Sequence, residues 1–317
     1  FGGNLVAEGA LQIGVVTAVV EYSMLTLAYL MIAAMVLVII PKSFASLRRI
    51  EEILQAEIEI EEETIKTVAE PTFDQTNAAA FEHVTFKYTE TSDPVLEDID
   101  FTIPKGKTTA IVGGTGSGKS SLAKLLLRLS DPTIGKVTLG GIPLTQMTQE
   151  QIRSHISYVP QKAFLFSGTI LSNLQMGNEY ASTEELSKAI KIAQLEELVD
   201  TLPDGLDSFV AQGGSNYSGG QKQRICIARA LIKPAEIYVF DDSFSALDYK
   251  TDAALRAALH KHMSEKTLVI VAQRLSTIQQ ADNIIVLDEG KIVGQGTHEE
   301  LLSNCQTYQE FAKSQGI

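Results

Sequence analysis

The sequence predicts an α/β domain with a mostly parallel sheet, preceded by one α-helix long enough to span a membrane. Three observations lead to this prediction. Residues 13–40 are almost wholly apolar, short apolar runs alternate with helical patterns from residue 81 onwards, and a strand, a glycine-rich loop and a helix follow one another at 108–129. With 317 residues, the chain is long enough for about two domains.

The apolar run from Ile13 to Ile40 predicts the membrane-spanning helix, because it is long enough to cross a bilayer with some tilt. It is too long for a signal peptide, and no basic segment precedes it; a buried helix of a soluble domain is the alternative. Lys42, Arg48 and Arg49 follow the run, so the positive-inside tendency places the downstream domain in the cytoplasm. Glu21 lies near the outer end of the span, where an interfacial carboxylate is favoured over a substrate contact.

Residues 48–80 predict a helical extension followed by a linker. Glutamates are interleaved with isoleucines up to Val68, a pattern typical of a solvated surface, and the stretch from Pro71 to Ala80 is rich in Thr, Asn, Asp and Ala. The second domain is expected at 81–317, with a helical insertion at about 163–224 where helix and loop patterns dominate. Its remaining strands are expected at Phe81–Phe86, Ile99–Ile103, Ser157–Val159, Ile237–Phe240, Leu268–Val271 and Ile284–Leu287.

The glycine-rich loop fits the phosphate-binding pattern G-x-x-x-x-G-K-[ST] at every fixed position. Its glycines let backbone N–H groups turn towards phosphates, and the N-terminus of the following helix adds positive potential. Lys119 is expected to reach the β- and γ-phosphates and the Ser120 hydroxyl to bind Mg²⁺. An ordinary glycine turn is disfavoured by the flanking strand Thr108–Val112 and helix Ser121–Leu129. The expected nucleotide-binding residues are Gly114, Thr115, Gly116, Ser117, Gly118, Lys119, Ser120 and Ser121.

Two other stretches carry chemistry. The strand Ile237–Phe240 ends in Asp241 and Asp242, and the carboxyl ends of strands in an open α/β sheet line the ligand crevice, so Asp241 is expected to hold Mg²⁺. Taken alone, such an aspartate is often only a turn residue. Ser218-Gly219-Gly220-Gln221 precedes a helix predicted at Gln221–Ile232, where free N–H groups and a positive helix end predict a second anion site. A Ser-Gly-Gly turn alone is usually a linker.

Composition excludes several classes of protein. The net charge of −13, with no dense Lys/Arg cluster, disfavours a nucleic-acid surface. Cys226 and Cys305 lack metal-ligand spacing and are expected to be reduced, with Cys226 packed in the core. The five histidines suggest no metal site either.

These motifs occur in the order found in ATP-binding cassette (ABC) transporters, and residues 81–317 resemble the nucleotide-binding domain of that family. Residues 1–47 resemble the end of the transmembrane domain of a fused exporter half. The resemblance implies a P-loop ATPase core with a leading antiparallel sheet and a helical subdomain, and ATP and Mg²⁺ as ligands. Because one spanning helix cannot form a translocation path, the chain looks like the C-terminal part of a longer subunit.

The resemblance also assigns roles to single residues. Tyr88 matches the aromatic residue that stacks on adenine, and Gln161 matches the loop glutamine that senses Mg²⁺ and the membrane domain. Outside the family, a core aromatic and a surface amide would be the ordinary interpretations. Asn216-Tyr217 followed by Ser218-Gly219-Gly220-Gln221 resembles the signature segment, whose last four residues would contact the ATP held by a partner subunit. Ser245-Ala246-Leu247-Asp248 resembles the loop that crosses the dimer interface.

Two catalytic positions depart from the family pattern. Asp242 stands where the family usually has Glu, and the retracted carboxylate is expected to be a poor base for the attacking water. Gln273 replaces the switch histidine, and its neutral amide can bind a γ-phosphate but cannot share a proton. The pattern resembles the degenerate chain of a heterodimeric exporter, whose own site holds ATP with little turnover. Tyr217 replaces the usual Leu, and only a mild effect is expected.

The expected function is ATP-driven export of drugs or other amphipathic molecules. The resemblance implies a second exporter subunit as partner, in a heterodimer rather than a homodimer, within the lipid of a bacterial plasma membrane. The alternatives are a regulatory ATP clamp without hydrolysis of its own and an exporter of lipids or peptides. A soluble phosphotransferase fits neither the membrane span nor the signature segment.

Overall fold

The computed structural model describes residues 2–56, 60, 70–73 and 76–316. The chain divides into two compact units, Phe1–Glu59 and Ile60–Ile317. The glutamate-rich part of the predicted connector, residues 57–59 and 61–69, lies outside the described residues.

The first unit is helical. It contains α1 (Gly2–Ala7) and the uninterrupted 42-residue α2 (Ile13–Leu54), which has no buried residue and is long and apolar enough to cross a membrane by length and composition. Hydroxyl groups inside α2 donate to carbonyls four residues earlier, as Ser23 Oγ does to Val19 O at 2.7 Å and Thr26 Oγ1 to Tyr22 O at 2.7 Å. These polar groups are therefore satisfied within the helix, as an apolar surrounding requires.

The second unit is built on two larger sheets and a short two-stranded one. The strands are β1 (Asn77–Phe86), β2 (Leu96–Pro104), β3 (Thr108–Gly113), β4 (Ile134–Leu139), β5 (Ile142–Pro143), β6 (Ile156–Val159), β7 (Gly168–Thr169), β8 (Phe209–Val210), β9 (Ile237–Asp241), β10 (Thr267–Ala272), β11 (Asn283–Asp288) and β12 (Lys291–Gly296). An antiparallel sheet has the order β2-β1-β4-β5, and a six-stranded sheet has the order β12-β11-β3-β10-β9-β6. The latter is parallel except for β12 at its edge. The predicted fold class, with its leading antiparallel sheet and its mostly parallel core, is confirmed.

The helices of this unit cover both faces of the parallel sheet. They are α3 (Lys119–Leu126), α4 (Gln149–His155), α5 (Ile170–Gln175), α6 (Thr183–Ile192), α7 (Glu196–Thr201), α8 (Gly219–Ile232), α9 (Tyr249–His262), α10 (His298–Asn304) and α11 (Gln306–Ser314). Helices α5, α6 and α7 form the helical subdomain between β7 and α8. Its caps are local: the Ser182 side chain and Glu185 form a capping box at the start of α6.

Alternation along the parallel strands divides the core in two. In β3, Ala110 and Val112 belong to the cluster under the subdomain, α8 and α9, whereas Ile111 belongs to the cluster under α3 and the antiparallel sheet. Successive strand residues point to opposite faces, so a strand buried on both sides reads as a continuous apolar run. This explains why β3, β9, β10 and β11 were predictable. Cys226 is buried in the core, as expected, and Cys305 is buried as well.

Helix α3 is shorter than the sequence pattern predicts. It ends at Leu126 rather than Leu129, because Arg128 adopts a left-handed backbone conformation with φ of 48°. The buried Arg128 guanidinium donates to Asp131 Oδ1 at 3.0 Å and to Met147 O at 2.8 Å. These contacts turn the chain away from the helix axis towards β4.

Candidate nucleotide-binding site

The phosphate loop connects the end of β3 to the start of α3 and leaves no room for larger residues at several positions. Gly116 and Gly118 have φ of 84° and 98°, in the left-handed region that favours glycine. A Cβ at Gly118 would lie 2.6 Å from Leu96 Cδ2, and one at Gly113 would overlap the Leu287 carbonyl oxygen. Gly114 faces open space. The loop is therefore held closely by the protein on one side and open on the other.

The N-terminus of α3 is a ready-made anion site. Its N-cap residue, Gly118, provides no side-chain hydrogen bond, and the first N–H groups of a helix have no intrahelical acceptor. The buried Lys119 folds back into the loop, where Nζ donates to Gly113 O at 2.8 Å and to Gly114 O at 2.6 Å. Burial lowers the pKa of Lys119, while the Asp242 and Asp241 carboxylates oppose that shift.

A pair of oxygen ligands lies beside this helix end. Ser120 Oγ donates to Asp241 Oδ1 at 3.2 Å, and the Tyr158 hydroxyl donates to Asp241 Oδ2 at 3.1 Å. Burial raises the pKa of Asp241, and the two hydrogen bonds oppose that shift. Among the described residues no group of three or more His, Cys, Asp or Glu is arranged for a metal ion. A hydroxyl and a carboxylate next to a phosphate cradle nevertheless fit Mg²⁺, which takes few protein oxygens and completes its shell with phosphate and water.

The three residues predicted to be catalytic converge on one atom. Asp242 Oδ2 accepts hydrogen bonds from Gln161 Nε2 at 3.1 Å and from Gln273 Nε2 at 3.3 Å. The Asp242 backbone is in the left-handed region with φ of 47°, where its N–H donates to Val271 O at 2.8 Å. The carboxylate is thus engaged by two neutral amides that come from the ends of β6 and β10.

These groups line one cleft of about 280 Å³. All of its lining residues except Val95 and Val271 were singled out from the sequence. The lining consists of Val95, Thr115, Gly116, Gly118, Lys119, Ser120, Ser121, Gln161, Asp241, Asp242, Val271 and Gln273.

Tyr88 stands beside the cleft rather than in its lining. Its hydroxyl lies 3.0 Å from Ser121 Oγ, and its ring packs edge-on against Phe86 with centroids 4.9 Å apart. The side chain remains half exposed. The structure therefore places this aromatic next to the N-terminus of α3, with surface left for a planar ligand.

The four signature residues lie away from this cleft, and none of them lines it. Ser218 caps α8: its Oγ accepts from Gln221 N–H at 3.3 Å, and its own N–H donates to Gln221 Oε1 at 2.8 Å. A Cβ at Gly220 would lie 3.2 Å from Ala246 O, whereas Gly219 faces open space. Tyr217 is buried, and its hydroxyl donates to Phe209 O at 3.2 Å. This residue anchors the segment to the subdomain.

Two positioning residues were missed from the sequence. Tyr158 reaches Asp241 across the sheet edge, and the fully buried Ser243 ties the ends of two strands by donating to Val159 O at 3.0 Å. The available signal was a hydroxyl in or just after an apolar strand at the edge where the acidic residues lie.

The chain is similar in sequence to known proteins of one family. Residues 96–245 match the family model described as ABC transporter. An uncharacterized ABC transporter ATP-binding protein of Mycobacterium tuberculosis is 43% identical over 320 residues, which cover 100% of this chain and 54% of the relative. An ATP-dependent lipid A-core flippase of Chromobacterium violaceum is 41% identical over 229 residues, 72% of this chain and 39% of the relative.

Two further matches concern exporters and multidrug resistance. A probable multidrug resistance ABC transporter ATP-binding/permease protein of Bacillus subtilis is 40% identical over 274 residues, 86% of this chain and 46% of the relative. The structure of a bacterial Atm1-family ABC exporter with ATP bound superimposes with a TM-score of 0.80 at 33% identity, over 88% of this chain and 48% of the other. The chain thus spans about half the length of the relatives it matches.

Proposed function

We propose that this chain is the ATP-binding part of a heterodimeric ABC exporter and that its own phosphate-loop site holds ATP with little turnover. The observation that carries the proposal is the engagement of Asp242 Oδ2 by the Gln161 and Gln273 amides. The phosphate-binding half of the site keeps the family pattern. Asp242 and Gln273, which we call the hydrolytic edge, depart from it.

The binding half supports ATP with Mg²⁺ as the ligand. The N–H groups from Thr115 to Ser121 and the Lys119 ammonium would hold the phosphates, and Tyr88 would stack on the base. Ser120, Asp241 and Gln161 would hold Mg²⁺, which supplies charge neutralisation on the phosphate oxygens when it is bound. Lys119 already points its charge into the loop through the two carbonyls of Gly113 and Gly114.

The hydrolytic edge supports poor turnover. A general base must lie within hydrogen-bond reach of the water it activates, and the Asp242 side chain is one methylene shorter than the Glu usual in the family. The oxygen that would accept the proton already accepts two amide hydrogen bonds. Gln273 can donate to a terminal phosphate, but as an amide it exchanges no proton.

The signature segment supports a second role, at the partner's ATP. Ser218, Gly219, Gly220 and Gln221 are apart from this chain's own cleft, and the open face of Gly219 leaves access to the start of α8. Closure of two such domains on ATP, with hydrolysis at the site that this segment completes, would drive the membrane helices between inward and outward access. The same alterations at Asp242 and Gln273 also suit a purely regulatory clamp.

The membrane and substrate parts of the proposal rest on less of the chain. Helix α2 supports insertion in a bacterial plasma membrane, with the basic residues that follow its apolar run on the cytoplasmic side. The names of the multidrug resistance and lipid A-core flippase relatives both suit amphipathic substrates. Lipid export is therefore the second candidate beside drug export.

The test is a gain of function in the full-length subunit purified with its partner. Asp242→Glu combined with Gln273→His is expected to raise ATP turnover up to about twofold, because a second competent site is added to the first. Asp242→Asn with Gln273→His is the matched control, since it keeps the imidazole without a base. Substantial turnover by the wild-type full-length subunit alone, or no gain from the double variant, would contradict the proposal.

A further inference from the structure

The backbone of the switch segment, Gln273–Leu275, is hydrogen-bonded to the side chain of Gln315. The segment follows β10 and leads into a one-turn 3₁₀ helix at Leu275–Thr277. The Leu275 N–H donates to Gln315 Oε1 at 2.8 Å, and Gln315 Nε2 donates to the Gln273 carbonyl at 2.9 Å. One amide therefore bridges two backbone groups of the segment that holds Gln273.

The bridging amide is presented from a firmly packed helix. Gln315 follows α11, which contributes the fully buried Tyr308 and the buried Ala312 to the core. The Gln315 backbone N–H donates to Phe311 O and Ala312 O, both at 3.1 Å. The side chain thus extends from a capped helix end, and its position is set by the packing of α11 rather than by the nucleotide cleft.

The position of the Gln273 backbone decides what its side chain can reach. The hydrogen bond from Gln273 Nε2 to Asp242 Oδ2 is 3.3 Å long, near the upper end of useful geometry. A small backbone shift breaks such a contact. Without Gln315, the N–H of the buried Leu275 and the carbonyl of Gln273 also lose their protein partner.

We propose that Gln315 is a positioning residue that holds the switch segment so that Gln273 can bind the terminal phosphate of ATP. This inference rests on the proposed function, because it requires ATP at this chain's own site. Gln315 acts on the γ-phosphate alone, since Gln273 lies at the hydrolytic edge and the remaining phosphates belong to the loop and α3. Its loss therefore changes discrimination between ATP and ADP rather than nucleotide binding in general.

The test measures MgATP and MgADP affinities of the full-length subunit with four variants, and Gln273→Ala is measured as the reference for the fourth. Gln315→Leu removes both hydrogen bonds and is expected to weaken MgATP binding by about threefold to tenfold, with MgADP binding unchanged, as the loss of one or two neutral hydrogen bonds predicts. Gln315→Glu keeps the acceptor for Leu275 N–H and is expected to lose less MgATP affinity than Gln315→Leu. Gln309→Leu is the matched control, because Gln309 lies on the same helix and donates to Leu302 O at 2.8 Å, away from the switch segment.

The fourth variant separates positioning from stability. In a Gln273→Ala background, Gln315→Leu is expected to have no further effect on MgATP binding, because the side chain it positions is gone. The inference would be overturned if Gln315→Leu kept wild-type affinities or weakened MgATP and MgADP binding equally. It would also be overturned if Gln309→Leu caused the same loss, or if the loss were additive in the Gln273→Ala background. In each case, ATP binding by the wild type would still uphold the proposed site. A wild-type subunit that binds neither nucleotide would overturn both.

Discussion

Helices α3 and α8 both begin after a glycine-containing turn, and their N-termini are finished in opposite ways. The N-cap of α3 is Gly118, which offers no side chain, so the first donors of the helix face the cleft beside Lys119. The N-cap of α8 is Ser218, which forms a capping box with Gln221. The first turn of α3 therefore has no side-chain acceptor. The first turn of α8 has its own acceptor, and Gly219 within it faces open space.

The contrast separates binding from assembly. A glycine N-cap is only roughly a few tenths of a kcal/mol less favourable than a Ser, Thr, Asn or Asp cap, but it supplies no side-chain acceptor, so such an end is suited to an anion that supplies one. A capped end needs no ligand to fold. We infer that α3 holds nucleotide within this chain, whereas α8 completes a site that only exists once a partner is present.

The largest effect is expected from the open face of α8. Gly219→Ala adds a methyl group into space that is empty in this chain, so the thermal midpoint of unfolding should stay unchanged or rise. In the proposed complex with the partner, the methyl group would displace the phosphate that we assign to the signature segment, and ATP turnover should fall by about a hundredfold. Unchanged turnover would remove the start of α8 from the composite site.

The next largest effect, on MgATP affinity, is expected from Lys119 at the start of α3. Lys119→Met removes a buried charge that no other residue at the loop replaces, and MgATP affinity at this chain's own site should fall by about tenfold to a hundredfold. Lys136→Met is the control, because Lys136 pairs with Glu82 on the surface at 3.0 Å. Equal affinities for the two variants would contradict the assignment of α3 as the phosphate site.

A smaller effect, on the Mg²⁺ dependence of ATP binding, is expected from Tyr158. Tyr158→Phe removes only the hydroxyl that donates to Asp241 Oδ2, which leaves Ser120 Oγ as the side-chain donor to this carboxylate within the described part of the chain. The Mg²⁺ concentration needed for half-maximal ATP binding should rise by about twofold to tenfold, with little change at saturating Mg²⁺. A titration that matches the wild type would show that Tyr158 only packs against the sheet.

The smallest effect is expected from the segment that precedes α8. Tyr217→Phe removes the hydrogen bond to Phe209 O, but Asn216 Nδ2 still donates to that carbonyl at 2.8 Å. We therefore expect a loss of about 0.5 kcal/mol in the free energy of unfolding and unchanged turnover in the complex. A loss of turnover without a loss of stability would give Tyr217 a role at the interface.

The parts of the site that are contiguous in the chain could be predicted from the sequence. The spacing of glycines before Lys119 and Ser120 predicts the phosphate loop, and the apolar run before Asp241 predicts the strand. The strands β4 and β12 were not predicted, because β4 is exposed along its first half and β12 is never fully buried. Such strands lack the continuous apolar run of the central ones.

The rest of the site depends on contacts made across the fold. Tyr158 and Asp241 are 83 residues apart, and Gln315 and Gln273 are 42 residues apart. A tyrosine in a strand and a glutamine after a helix are ordinary residues until the sheet order and the packing of α11 bring them to the site. The early end of α3 has the same origin in part, because the Arg128 guanidinium contacts Met147 O, which is 19 residues away, as well as the nearby Asp131.

The central claim, that this chain binds ATP at one site and serves hydrolysis at another, is tested most directly by two variants of the full-length subunit in complex with its partner. Asp242→Asn changes this chain's own site, and Ser218→Ala changes the start of α8, where it also removes the capping box, so turnover is compared at a temperature at which both variants remain folded. The account predicts that ATP turnover stays within about twofold of the wild type for Asp242→Asn and falls by about tenfold or more for Ser218→Ala. Equal losses in both variants, the result expected when the two residues serve equivalent sites, would contradict it.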